Sequence, residues 1–248
     1  MPHLSSLQWI AAIVASIGVG ISKAGFSGFS LLHVLIFATL FGARGSTGVV
    51  LPLLIFGDLS AVRTFHTHAQ WRYIRRMLPP ACIGVVAAAW FMSRLDDAAY
   101  KPILGWIILA LAALHLLRSA RPQLFGNVPH SIGFAWTMGL IAGAMTMMAN
   151  AAGPIFTLYA LAIGLPKFEL VGTGAWFFFI MNLFKVPFSL ALGLIQAPTL
   201  LLNLVLLPPI LLGVAIGRRL TQLVPQELFN RLLLIFAAIA ALRLVGAV

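Results

Sequence analysis

Apolar residues run along this chain in long blocks, and polar residues collect in short joints between them. The blocks lie at roughly 7 to 22, 26 to 41, 46 to 65, 74 to 93 and 101 to 118, and then, after RPQLFGNVPHS, at 132 to 148, 153 to 165, 170 to 195, 199 to 217 and 229 to 247. Glycine, proline and charged residues punctuate them, so each block reads as one helix. About 20 such residues cover a hydrocarbon core of about 30 Å, and a helix satisfies its own backbone in lipid. The pattern predicts an all-α polytopic membrane protein, a single transmembrane domain over residues 1–248.

The two groups of five blocks share a rhythm. A shift of 129 lays Leu78, Pro79, Pro80, Gly84 and Val85 on Leu207, Pro208, Pro209, Gly213 and Val214, and also Gly45 on Gly174 and Ser60 on Ser189. LPPxxxGV recurring without a gap in matching blocks reads as an internal duplication. Repeat one then covers about 4–118, a joint follows at 119–131, and repeat two covers about 132–247.

Charge orients the halves. The joint after block three carries Arg63, His66, His68, Arg72, Arg75 and Arg76, which predicts a cytoplasmic side, whereas its counterpart from Gln196 to Thr199 is uncharged. After block four the bias reverses: Arg94, Asp96, Asp97 and Lys101 nearly cancel, but the counterpart has Arg218, Arg219 and Arg231 against Glu227. Two inverted repeats follow, and inversion requires an odd number of crossings in each. Blocks 7 to 22 and 26 to 41 therefore count as a pair, a short broken or re-entrant helix pair, because sixteen residues of helix reach only about 24 Å.

Such interrupted pairs mark substrate sites in transporters. The first interruption is GVGISKAGFSG at 18–28 and the second is TMMANAAGPIF at 146–156, with Ala24 and Gly25 opposite Gly153 and Pro154 under the shift. Proline favours the first turn of a helix, and glycine lets a backbone approach a ligand closely. Each break is expected to present a helix N-terminus, whose free N–H groups and positive dipole end suit an anion. Lys23 adds a full charge. An interfacial or structurally paired lysine, with glycines that merely let helices approach, is the plainer alternative.

Composition sharpens this picture. The chain is 61% hydrophobic and 8% charged, with a mean hydropathy of +1.04. Its formal charge of +11 comes from sixteen Lys and Arg scattered at block ends, a pattern of topology and lipid anchoring that argues against nucleic acid. Cys82 alone excludes an intrachain disulfide and a cysteine metal site, and Met145, Met147 and Met148 have no Cys or His beside them, so neither a metal nor another cofactor is expected. MPHLSSLQW lacks a basic n-region, so the first block is expected to be retained. Five acidic residues, with no HExxH, no intramembrane aspartate pair and no usable Ser-His spacing, speak against an enzyme.

Two more intramembrane charges stand out. Asp58 and Lys185 lie in corresponding blocks and can pair with each other across a pseudo-twofold axis; alternatively Asp58 carries a coupling proton and Lys185 makes a second anion contact. A surface pair of Asp58 with Arg63 or His66 is the structural alternative. Asn182 lies one turn before Lys185. His33 can relay protons or serve as a hydrogen-bonded structural residue. Ser22, Phe26, Ser27, Asn150 and Thr157 flank the breaks and complete the expected lining with Gly25, Gly153 and Pro154. Glu169 is expected to cap the helix that follows it.

At the two breaks, in ANAAGPIFTLYALAIGLP at 149–166, in VGTGAWFFFIMNLFKVPFSLALGLI at 171–195 and in both LPPxxxGV helices, the chain resembles the sulfite exporter TauE/SafE family, also called the 4-toluene sulfonate uptake permease family. It departs from the family's glycine run at the second break, where Ala149, Asn150, Ala151 and Ala152 precede Gly153. The resemblance implies a multi-pass secondary transporter of the bacterial inner membrane, an exporter of small sulfur-containing anions such as sulfite, sulfonates or sulfoacetate, with proton coupling as an option. Another small organic anion, a passive anion channel and a membrane scaffold are the alternatives. The apolar outer faces suit lipid and equally allow a homo-oligomer.

Overall fold

The computed structural model describes residues 4–24, 26, 29–120 and 131–223, and these are helical nearly throughout. The block at 229–247, most of the joint, Gly25 and Ser27 lie outside the described residues. The helices are α1 (Ser6–Lys23), α2 (Phe29–Phe41), α3 (Ala43–Phe65), α4 (Trp71–Met92), α5 (Asp97–Ala120), α6 (Ile132–Ala149), α7 (Gly153–Ala162), α8 (Lys167–Ala191) and α9 (Ala197–Leu223). Seven of them are long and apolar enough to cross a membrane, and α2 and α7 are not.

Several boundaries depart from the blocks for local reasons. The described part of α2 begins at Phe29, three residues after the start of its block. Gly42 alone separates α2 from α3, because its φ of 78° reverses the chain within one residue. The turn after α7 is sharpened in the same way by Gly164, with φ 72°. Glu169 stands in the first turn of α8 without forming the expected side-chain cap.

At thirteen and ten residues, α2 and α7 reach about 20 and 15 Å. Each folds back on the helix before it. Gly18 of α1 meets Phe29 and His33 of α2, and the Phe134 ring of α6 lies 5.8 Å from that of Tyr159 in α7. Both pairs are antiparallel hairpins with their tips inside the protein.

The hairpins are held by small residues. Gly84 of α4 lies against the Leu140 carbonyl of α6, and Gly143 lies against the Ala81 carbonyl in return. Gly213 of α9 meets the Ile17 carbonyl of α1, and Gly20 meets the Ile210 carbonyl. Without a hydrophobic drive between helices in lipid, close backbone approach of this kind supplies the contact. The residues of LPPxxxGV thus build two crossings of one design.

Between these pairs α3 and α8 run antiparallel. Gly48 of α3 lies against Leu194 in the turn after α8, and Gly172 of α8 lies against Phe65 and His68 in the turn after α3. Gln70 also donates its backbone N–H to the Thr173 hydroxyl at 2.9 Å. Asp58 and Asn182, which meet across this pair, are 124 residues apart, as Gly48 and Gly172 are. An alanine at 143 would press its Cβ into the Ala81 backbone, whereas Gly45 has nothing within 4 Å of such an atom. Gly143→Ala should therefore lower the stability of detergent-solubilised protein by about 1–3 kcal/mol, the cost of overpacking. Gly45→Ala, followed in the same thermal melts, should be neutral or stabilising by up to about 1 kcal/mol.

Candidate functional site

The hairpin tips meet α3 and α8 around a cavity of about 70 Å³. That is several times the ~10–15 Å³ needed by one water, and it suits a small solute. Ser22 and Lys23 at the end of α1, Ser30 and His33 in the opening turns of α2, and Ala152, Gly153, Phe156 and Thr157 at the start of α7 all border it. So the first turns of both short helices face one space. On α8 the lining runs from Asn182 back to Leu170, toward the end beside the basic turn at 66–76. Phe26 is 2% exposed and packs with Ile21 and Phe29, outside the lining. Pro154 is buried in the first turn of α7 and shapes that turn without bordering the cavity.

Lys23 ends α1, where a cation complements the carbonyl end of the helix. Its Nζ stands 2.6 Å from Asp58 Oδ1 and 5.1 Å from the centre of the Phe178 ring, with the side chain 11% exposed. Asp58 is fully buried, and its Oδ2 accepts a hydrogen bond of 2.6 Å from Asn182 Nδ2. The pairing of Asp58 with Lys185 does not form, nor does the surface pair with Arg63 or His66. Asp58 lies two turns inside α3, at the level of the first hairpin tip, and Lys23 is the cation that reaches it.

Lys185 is committed elsewhere. Its Nζ donates to the Thr146 carbonyl at 2.9 Å, the Thr146 hydroxyl at 3.1 Å and Asn150 Oδ1 at 2.6 Å. An ammonium has three protons, so these acceptors use all of them. Lys185 stands outside the cavity lining and ties α8 to the carbonyl end of α6. Asn150 completes the tie. It adopts the left-handed conformation with φ 52°, which asparagine tolerates, and its Nδ2 donates to the Thr47 carbonyl of α3 at 2.9 Å.

The hydroxyls are also spoken for. Ser22 donates to the Val19 carbonyl at 2.7 Å and Thr157 to the Gly153 carbonyl at 2.8 Å, so both turn lone pairs to the cavity. Anion donors must come from Lys23 and from the first backbone N–H groups of α7, which have no intrahelical partner. His33 stands on the opening turns of α2. It is 1% exposed and borders the cavity.

The chain matches the sulfite exporter TauE/SafE family over residues 11–244. It belongs to that family. The TauE/SafE match takes in both hairpins, the α3–α8 pair and all of the cavity lining, and with the seven long apolar helices it makes this a multi-pass protein of a membrane transporter family. Neither the curated proteins nor the solved structures contain a match.

The geometry of the ion pair yields a stability test. Breaking a buried pair from one side leaves an uncompensated charge and costs about 3–5 kcal/mol. Lys23→Ala and Asp58→Asn should each lower the melting temperature of the solubilised protein, while the double variant should recover most of the loss. Equal losses in all three would mean that the pair contributes no mutual compensation.

Proposed function

We propose that this protein is a secondary transporter of small sulfur oxyanions, sulfite or an organic sulfonate, that binds them between the two hairpin tips and carries them out across a bacterial inner membrane. The observation that carries the reading is Lys23, a cation that lines a small cavity bordered by the first turns of two helices. Helix N-termini and an ammonium together match the charge and acceptor oxygens of such an anion. The family to which the chain belongs gives the substrate class.

The two halves are inverted repeats in this reading, each a hairpin followed by three crossings. The paired glycine crossings and the antiparallel α3 and α8, with Asp58 and Asn182 opposite one another, favour it. Such repeats support alternating access around a fixed central site. A passive channel is disfavoured by the layer formed by Lys185, Asn150 and Thr47 and by the contact of Leu194 with Gly48, all on the side of the cavity away from the basic turn at 66–76.

Lys23 has one charge and two claimants. While Asp58 is ionised, the pair is neutral and an arriving anion must displace the carboxylate. Once a proton neutralises Asp58, the ammonium charge is free for substrate, so proton and anion bind cooperatively and each raises the affinity of the other. Asn182 can serve both states, because its amide donates to a carboxylate and, turned over, accepts from a carboxylic acid. His33, buried beside the cavity, is the relay toward it.

A panel of sulfur oxyanions and organic acids, read by thermal stabilisation of the solubilised protein, tests the site, since a ligand that binds the folded state raises its apparent stability. A sulfur oxyanion should stabilise the wild type, more strongly as the pH falls, and Lys23→Ala should abolish the shift. An undiminished shift in Lys23→Ala would place the anion elsewhere. Coupling predicts that Asp58→Asn retains exchange of substrate in proteoliposomes but loses its dependence on a pH gradient; a mutant with the wild-type pH response would remove Asp58 from that role.

A further inference from the structure

A second, larger cavity of about 360 Å³ lies at the other end of α3, beyond the layer of Lys185, Asn150 and Thr47. Arg44 in the first turn of α3 projects into it, opposite Gln196 and Thr199 at the start of α9, with Asp97 at the rim. The guanidinium is poorly compensated. Its Nε is buried without a hydrogen-bond partner among the described residues, and the carboxylate nearest in charge, Asp97, stands 3.8 Å away and is 83% exposed. The central lysine has its carboxylate at 2.6 Å.

We propose that this vestibule is a second anion site, in which Arg44 holds the transported oxyanion on the far side of the seal. A guanidinium offers five N–H donors in a planar fork that fits two oxygens of one sulfite or sulfonate group, and only one long ionic contact competes for it. The position is direct: the Arg44 carbonyl accepts the hydroxyl proton of Thr47, whose own carbonyl is held by Asn150 of the seal. An anion leaving the seal therefore meets Arg44 within one turn of α3. Asp97 is its competitor, so removing that charge strengthens the site and removing Arg44 weakens it.

The inference rests on the transport reading, and one experiment separates the two. Initial rates of sulfite flux are measured in membrane vesicles of both orientations, which gives a KM from the vestibule face and one from the opposite, basic face. In Arg44→Gln the ratio of the first to the second should rise about tenfold, roughly the loss of one charged hydrogen bond. In Asp97→Asn, an exposed change that leaves the fold alone, the ratio should fall. A ratio unmoved in Asp97→Asn and in any Arg44→Gln protein that folds, or one moved the same way in both, overturns the vestibule site while transport stands. A wild type with no anion flux from either face overturns the transport reading itself.

Discussion

The ion pair between Lys23 and Asp58 is the constraint around which the rest of the structure is arranged. Two charges in an apolar interior need each other and need further hydrogen bonds to be tolerated. Asp58 obtains both, from the Lys23 ammonium on one oxygen and from the Asn182 amide on the other. That requirement fixes where α1 ends, which face of α3 turns inward and how α8 passes it. Gly57 makes the approach possible, since a Cβ there would come within 3.2 Å of Lys23 Cγ.

The second hairpin meets the same centre with different chemistry. Its tip carries no charge of its own and borrows one from Lys185, which spends its three protons on the end of α6. Tyr100 of α5 donates its hydroxyl to the Met148 carbonyl in that same last turn. The carbonyl groups left over at a helix end are thus answered by side chains from two neighbouring helices, which substitute for the water that lipid excludes. One hairpin tip is consequently built to expose a charge and the other to bury one.

Much of the architecture was legible because lipid simplifies the code. Long apolar blocks, LPPxxxGV in both halves, and a lysine inside a glycine-rich break all survive as sequence signals. The pairing of the charges was not legible. The offset of 129 that aligns Pro79 with Pro208 sets Asp58 two places from Lys185, yet the α3–α8 crossing obeys an offset of 124 and puts Asn182 opposite Asp58. Nor did the sequence reveal that Lys185 is saturated, because its acceptors, Thr146 and Asn150, come from a different helix.

The pair has an electrical meaning as well. A single charge carried through the membrane field changes energy by about 2.3 kcal/mol for every 100 mV. Lys23 and Asp58 together carry none, so in the proposed cycle this pair moves no net charge when the empty site changes its access from one face to the other. A divalent sulfite accompanied by one proton adds a net negative charge to that neutral centre. In that cycle the charge added by the substrate would feel an inside-negative potential as an outward push, and the voltage would favour export.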